Sequence, residues 1–224
     1  MLTVENIETY GWLDAIRGMR NPMNSWRLSD SFYCGKPDEK CSVCEARHTD
    51  KCDGGVIVGS NDLALMKKLV NAGSDHRKFL RMITVYMDIT APLYWWKEYD
   101  TYKVGTVANS CSTMHKITDK PFTMEDFSHE HLYGTADAAL CHVVNILNMY
   151  LGLYKGEDNP EVRKVHWWQL IQLLPTSYNQ KRTVMVNYEV LRNIYHARKN
   201  HKLDEWHTLC AAIEQLPYFH VLIA

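Results

Sequence analysis

Cysteine residues provide the first spacing in this sequence that predicts chemistry. Cys34, Cys41, Cys44 and Cys52 lie close together, and the two residues between Cys41 and Cys44 allow both thiolates to reach one tetrahedral ion. Four thiolates close such a coordination shell, so the pattern predicts a structural zinc site, with His48 as an alternative ligand. A loop of free thiols is the other interpretation.

Two short runs of cationic side chains are candidates for binding an anion. The run HRKFLR starts at His76 and includes Lys78 and Arg81, and the run HARKNHK includes Arg198. Such clusters suit a phosphate or a pyrophosphate, and they equally suit an exposed helix face. Cys111 has no visible activating base, so we interpret it as a small loop residue and not as a nucleophile.

The composition is that of a globular protein without a strong charge bias. Hydrophobic residues make up 46% of the 224 residues, and 25 Lys and Arg against 26 Asp and Glu give a formal net charge of -1. This balance gives no support to bulk nucleic-acid binding. We find no secretion signal and no apolar stretch of the length of a membrane span. We therefore expect a cytoplasmic protein whose seven cysteines are reduced.

Hydrophobic periodicity predicts few strands beside several helices. Residues 83–90 alternate with a period of two, as a half-buried strand does, and 183–186 is a short β-branched run. Helical spacing is found at 61–72, 93–100, 137–154, 161–174, 188–199 and 204–216. We therefore predict an α+β fold in which helices flank a small antiparallel sheet.

The remaining segments are predicted to be loops within one domain that spans 1–224. Residues 34–55 contain cysteine, proline and glycine but few large apolar groups, which indicates a Cys-rich inserted loop. Residues 101–120 are rich in Ser, Thr, Gly and Asn and form a second predicted loop. The aromatic runs Tyr94-Trp95-Trp96 and Trp167-Trp168 are interpreted as helix core and not as ring-stacking walls.

A first long segment, 59–115, resembles the flavin-dependent thymidylate synthases. It has the family's order of a helix, a turn with Gly73 and His76, a strand, and a helix that opens with Ala-Pro. Counting on from Ala-Pro places Thr101-Tyr102-Lys103 where the family has its signature Arg-His-Arg. The loop then continues through Asn109, and Ser112 falls on the signature serine.

A second segment, 173–206, resembles the same family and follows in the family's order. Leu174-Pro175, Asn187 and Arg198 keep the family's spacing, and Asn193 falls on a further family asparagine. The two segments cover roughly half of the chain, and together they are more specific than either alone.

This resemblance implies an enzyme that binds FAD and methylates dUMP to dTMP, with methylenetetrahydrofolate as carbon donor and NADPH as reductant. It also implies a homotetramer with sites between subunits. The implied catalytic residues are Lys103, Ser112 and Arg198, joined by Asn109 and Ser110 for substrate binding. The implied cofactor-binding residues are His76, Lys78, Arg81, Tyr102, Asn187 and Asn193.

Several signature positions depart from the family. Lys103 is the one cation kept from the triplet, Ser110 stands in place of an acidic residue, and Met114 in place of an arginine. Arg81 stands where the family has a flavin-side carboxylate. These departures keep two alternatives open, namely a related FAD enzyme that modifies another pyrimidine nucleotide, and an inactive nucleotide-binding protein.

Overall fold

A computed structural model describes residues 2–34 and 55–223 as an α+β structure. Its strands are β1 (Thr3–Tyr10), β2 (Phe32–Tyr33), β3 (Val56–Ile57), β4 (Thr84–Pro92), β5 (Thr106–Ser110) and β6 (Asn179–Asn187). Its helices are α1 (Trp12–Arg20), α2 (Ser60–Asn71), α3 (Leu93–Tyr99), α4 (Thr113–Lys116), α5 (Thr135–Gly156), α6 (Pro160–Leu173), α7 (Tyr188–Arg198), α8 (Asp204–Glu214) and α9 (Phe219–Leu222).

Four strands form one sheet in the order β1-β4-β6-β5, and β2 pairs with β3 in a separate antiparallel ribbon. The predicted class, α+β with a small antiparallel sheet flanked by helices, is confirmed. The central strand β4 alternates as predicted, because Val85, Met87 and Ile89 are buried while Tyr86 is exposed.

The described chain divides into two compact units, each built from separate segments. Unit 1 comprises Met1–Ile7, Met87–Met185 and Asn200–Leu209. Unit 2 comprises Glu8–Tyr86, Val186–Lys199 and Cys210–Ala224. The expectation of one domain over 1–224 with a Cys-rich inserted loop at 34–55 stays a prediction.

One hydrophobic cluster of unit 1 lies between α5 and α6 and against the segment that precedes α5. Its buried members are Ile117, Phe122, Phe127, Leu140, Val144, Leu147, Leu151 and Leu170. Helical spacing places Ala139 and Val143 on one face with Leu147 and Leu151, but Ala139 is exposed. Because α5 is apolar around much of its circumference, its periodicity alone does not decide which face is buried.

Helix α5 is also long and apolar enough to cross a membrane, by its length and composition alone. The sequence reading did not anticipate this result. The core helix of a soluble protein can have the same length and composition. In α5, however, only 22% of the most apolar stretch is buried. The uncovered apolar surface of α5 therefore needs an explanation at the level of the whole molecule.

The core of unit 2 is built around aromatic rings. Trp12 packs edge-on against Tyr188 at 5.1 Å between ring centroids, and Tyr188 packs against Phe219 at 5.7 Å. All three rings are almost fully buried. A buried ion pair between Arg20 of α1 and Asp62 of α2, 2.6 Å apart, joins the first two helices. This packing fixes the segment 73–82 and the start of α7, which carry several predicted site residues.

Candidate functional site

In unit 1, helix α3 positions the first group of predicted site residues. Trp95, Trp96 and Tyr99 are buried, which confirms that this aromatic run is helix core. The chain then leaves the helix through Tyr102 and Lys103, which line a cavity of about 330 Å³. Tyr99, Asp100, Thr106 and Ala108 complete its lining. The buried rings anchor one end of this segment, so the exposed ammonium group of Lys103 is held beside a defined concavity.

The hydroxyl group of Tyr99 is an orphan in the wall of this cavity. Among the described residues, neither the Tyr99 hydroxyl nor the indole nitrogen of Trp95 has a hydrogen-bond partner. Burial raises the pKa of Tyr99 further above its usual range. Buried donors normally find a partner, and Tyr99 is the one of these two residues that lines the cavity, where a water molecule or ligand group can supply one.

Ser112 lies at the start of α4 and is half-buried. Its side-chain oxygen accepts a hydrogen bond from the backbone nitrogen of His115 at 3.2 Å. A hydroxyl that accepts in this way still has its proton to donate, so Ser112 can offer one short donor to an anion. Asn109 and Ser110 are exposed on β5. Ser112 is not one of the described residues that line the cavity beside Lys103.

A second cavity lies in unit 2 and brings together two predicted cofactor residues. His76 and Lys78 line a space of about 480 Å³ between α1, α2 and the segment that follows α2. Its other lining residues are Gly18, Met19, Asn21, Pro22, Met23, Leu69, Asp75, Phe79 and Met82. Arg81 is exposed on the neighbouring 3-10 helix Lys78–Met82. The cavity therefore combines apolar walls with the polar side chains of Asp75, His76 and Lys78.

Helix α7 carries the remaining predicted residues of unit 2. Asn187 caps the helix, because its side-chain oxygen accepts from the backbone nitrogen of Val190 at 3.0 Å. Asn193 is exposed, and Arg198 is the last residue of the helix and is half-buried. Glu189, in the first turn, pairs with Arg77 at 3.0 Å and ties α7 to the segment after α2.

In unit 1, two further residues contact the end of α3 and the segment that carries Ser112, and the sequence did not indicate either of them. The side-chain amide of Gln180, on β6, donates to the backbone oxygen of Cys111 at 2.9 Å. Arg182, two residues further on, pairs with Asp100 at 2.8 Å and lies over the ring of Trp96 at 4.1 Å from its centroid. The partners lie far apart in the sequence, so no local pattern indicates these contacts.

The predicted zinc ligands lie mostly outside the described residues. Cys41, Cys44 and Cys52 fall there, and Cys34 is described at the edge of the gap. Within the ranges 2–34 and 55–223, no group of three or more His, Cys, Asp or Glu residues is arranged to hold a metal ion. The zinc site stays a prediction from the sequence.

Fold and cavities together define an α+β protein with separate polar concavities in its two units. No family model matches the sequence, and a sequence search of curated proteins finds no match.

Solved structures do match. Thymidylate synthase X (ThyX) from Helicobacter pylori, solved with FAD and dUMP, has a TM-score of 0.63 and 14% identity over 100% of this chain and 97% of that chain. A second structure, flavin-dependent thymidylate synthase ThyX from Helicobacter pylori complexed with FAD and dUMP, has a TM-score of 0.64 and 16% identity, covering 98% and 97%. The chain therefore has the fold of the flavin-dependent thymidylate synthases, as the resemblance implied.

Proposed function

We propose that this protein is an FAD-dependent enzyme that acts on dUMP, in a reaction like that of thymidylate synthase. The observation that carries the proposal is the similarity of fold over nearly the whole chain to ThyX structures that contain FAD and dUMP. Fold alone does not determine function, so the residues must also suit the ligands. Both units contain side chains that suit them.

The cavity of unit 2 fits one aromatic end of a flavin cofactor. Its volume of about 480 Å³ and its methionine and phenylalanine walls suit a planar ring system. The ammonium group of Lys78 and the imidazole of His76, both in its lining, suit a pyrophosphate. Asn187, Asn193 and Arg81 are further candidates from unit 2, and Tyr102 from unit 1. FAD, when bound, supplies the hydride of a reductive methylation, with methylenetetrahydrofolate as carbon donor and NADPH as reductant.

The residues of unit 1 suit the nucleotide. Lys103 offers a point charge for a phosphate, and the hydroxyl of Ser112 offers a directed donor. Asn109 and Ser110 add polar groups on β5. Arg198, at the end of α7, belongs to unit 2. The resemblance assigns it to the substrate, and its planar fork suits an oxyanion or the edge of a pyrimidine. Their role is to hold the ring in register with the cofactor and to stabilise charge that moves onto the uracil oxygens.

We also propose that the enzyme is a homotetramer. A partner copy of the chain would cover the apolar side chains that α5 and α6 leave exposed, among them Leu153 and Trp168. This surface is the physical support for an oligomer, and the number of subunits follows from the resemblance.

A related enzyme that modifies another pyrimidine nucleotide is the second candidate. Met114, where the family has an arginine, is half-exposed and offers no charge to a ligand. The chain has therefore lost one cation of the family's nucleotide site, which favours a changed substrate. Growth of a thymidine-requiring bacterium that carries the gene distinguishes the two, because only dTMP synthesis restores growth.

Binding measurements test the proposal directly. Purified protein should show flavin absorbance, and calorimetric titration should detect dUMP. Lys103→Met and Arg198→Ala should each weaken dUMP binding about tenfold or more, because each removes a charged contact worth about 1.5–3 kcal/mol. Lys97→Met, on the exposed surface of α3, is the matched control and should bind like the wild type. Colourless protein that gives no heat with dUMP would overturn the proposal.

A further inference from the structure

We infer that Gln180 is a positioning residue that holds Ser112 ready for the nucleotide phosphate, and that Arg182 sets the orientation of Gln180. The inference rests on the proposed function, because Ser112 is taken as a nucleotide-binding residue. Both residues lie on β6, within unit 1, and Gln180 is 9% exposed. Neither residue belongs to the motifs that the sequence resemblance assigns to the site.

The side chain of Gln180 is bonded to both neighbours of Ser112. Its nitrogen donates to the backbone oxygen of Cys111 at 2.9 Å and to the hydroxyl of Thr113 at 3.0 Å. The backbone nitrogen of Cys111 also donates to the backbone oxygen of Lys181 at 2.9 Å. The segment 111–113 is therefore fastened to β6 on both sides of Ser112, which restricts its backbone before any ligand arrives.

Arg182 decides which way the amide of Gln180 points. The guanidinium nitrogen Nε donates to the side-chain oxygen of Gln180 at 3.0 Å. Because arginine has donors and no acceptor, the oxygen of the amide must face Arg182. The nitrogen must then face Cys111 and Thr113, which is the orientation that fastens the loop. A flipped amide would turn its nitrogen toward the Nε donor of Arg182 and its oxygen toward the backbone oxygen of Cys111, so both contacts would be lost.

Arg182 is itself held by the wall of the cavity beside Lys103. It donates to the carboxylate of Asp100 at 2.8 Å, and its guanidinium group lies 4.1 Å from the ring centroid of Trp96. The indole nitrogen of Trp96 donates a hydrogen bond to the backbone oxygen of Gln180 at 2.9 Å. The network thus links the end of α3, which leads to Lys103, with the loop that carries Ser112.

The chemistry of this network points to a fixed site for an anion. Ser112 has one rotatable hydroxyl, and a single donor contributes to affinity only if its direction is set in advance. The cap bond from His115 sets the side chain, and Gln180 sets the backbone beneath it. Loosening Gln180 should therefore weaken binding without removing any group that touches the nucleotide.

Two variants of Gln180 and a control test the inference. Gln180→Glu keeps the size and the bond to Arg182 but replaces the donor with an acceptor that opposes the oxygen of Cys111. Gln180→Leu removes all of its side-chain bonds. Gln169→Leu is the control, because Gln169 lies on α6 and its side chain makes one long bond of 3.4 Å to the backbone.

Two readouts separate a positioning role from general stability. Amide hydrogen exchange of the segment 111–116, measured without ligand, should speed up about tenfold or more in both Gln180 variants and stay unchanged in Gln169→Leu. Affinity for dUMP, measured by calorimetry well below the unfolding midpoint of each variant, should fall about tenfold. Circular dichroism at the same temperature should show every variant folded.

The outcomes distinguish this inference from the proposed function. Unchanged exchange in 111–116 for both Gln180 variants overturns the positioning role. Faster exchange with wild-type dUMP affinity also overturns it, because the loop then does not set the binding contact. If the wild-type protein binds no dUMP while the segment loosens as expected, the proposed function fails and the structural part of the inference stands.

Discussion

At the scale of single residues, the chain buries one charged pair at considerable cost. Arg20 and Asp62 are almost fully buried, and the carboxylate also accepts from the hydroxyl groups of Ser29 and Ser31. Burial by itself raises the pKa of Asp62, but the hydrogen bonds from Ser31, Arg20 and their neighbours outweigh it and hold the pKa below its usual range. The ionised carboxylate is therefore the hub that joins α1, α2 and the segment 29–31.

Replacing Asp62 with Asn should destabilise the protein by about 3 kcal/mol or more, because it leaves the buried charge of Arg20 without a counter-charge. Asp14→Asn breaks the exposed ion pair with Arg17 and is the control, with an expected loss below about 1 kcal/mol. Since the folded pKa of Asp62 is lowered, its contribution is complete above about pH 4 and is lost as the pH falls further. We therefore expect urea unfolding from pH 7 to pH 3 to show that the wild type and Asp62→Asn differ less in their free energy of unfolding as the pH falls. An equal loss at every pH would contradict this account.

At the scale of elements, periodicity predicted most of the longer helices but missed α1 and the edge strands. Helices α2, α5, α6, α7 and α8 lie within a few residues of their predicted ranges, because apolar residues recur in each of them at helical spacing. The expected loop at 101–120 instead contains β5 and α4, and β1 was not predicted at all. Both strands lie at the edges of the sheet and are largely exposed, so they lack the alternation that identifies a strand.

In the candidate site too, residues that are close in the sequence could be indicated in advance, and contacts between residues distant in the sequence could not. The resemblance indicated Tyr102 with Lys103, and His76 with Lys78, and each pair lines a cavity. Each pair is local in the chain, so the resemblance could indicate it, and the binding roles of these residues stay predictions. Gln180 and Arg182 could not be predicted in this way, since their partners lie on α3 and on the loop before α4.

The start of α2 yields a prediction about one glycine. The side chain of Asp30 caps the helix, accepting from the backbone nitrogens of Asn61 and Asp62. A Cβ atom at Gly59 would lie 2.4 Å from the backbone oxygen of Asp30, so Gly59→Ala must push this segment away and cost more than about 1 kcal/mol. Gly152→Ala is the matched control, because nothing lies within 4 Å and α5 should gain about 0.5–1 kcal/mol. The midpoint temperature of thermal unfolding should fall in Gly59→Ala and rise in Gly152→Ala. A shift of both midpoints in the same direction would contradict the prediction.

At the scale of the whole molecule, the helical hairpin of α5 and α6 has more apolar surface than unit 1 covers. Met149 and Leu153 on α5, with Val165 and Trp168 on α6, are each more than 40% exposed. Trp167-Trp168 was expected to be core, and that expectation is wrong for Trp168, which is 41% exposed. Large apolar side chains on adjacent helices form the kind of surface that protein partners cover.

The proposed tetramer predicts that charge on this surface separates the subunits. Light scattering of the wild-type protein should give the mass of four chains, whereas Leu153→Glu and Trp168→Glu should give smaller species, because a carboxylate buried in an apolar interface has no partner. Tyr133→Glu, at an 86% exposed position before α5, is the control and should keep the wild-type mass. Because α5 also has the length and composition of a membrane span, the same proteins should be mixed with lipid vesicles and floated on a density gradient. A wild-type monomer that floats with vesicles would contradict the tetramer and assign this surface to lipid, and wild-type mass in both glutamate variants would place the interface elsewhere.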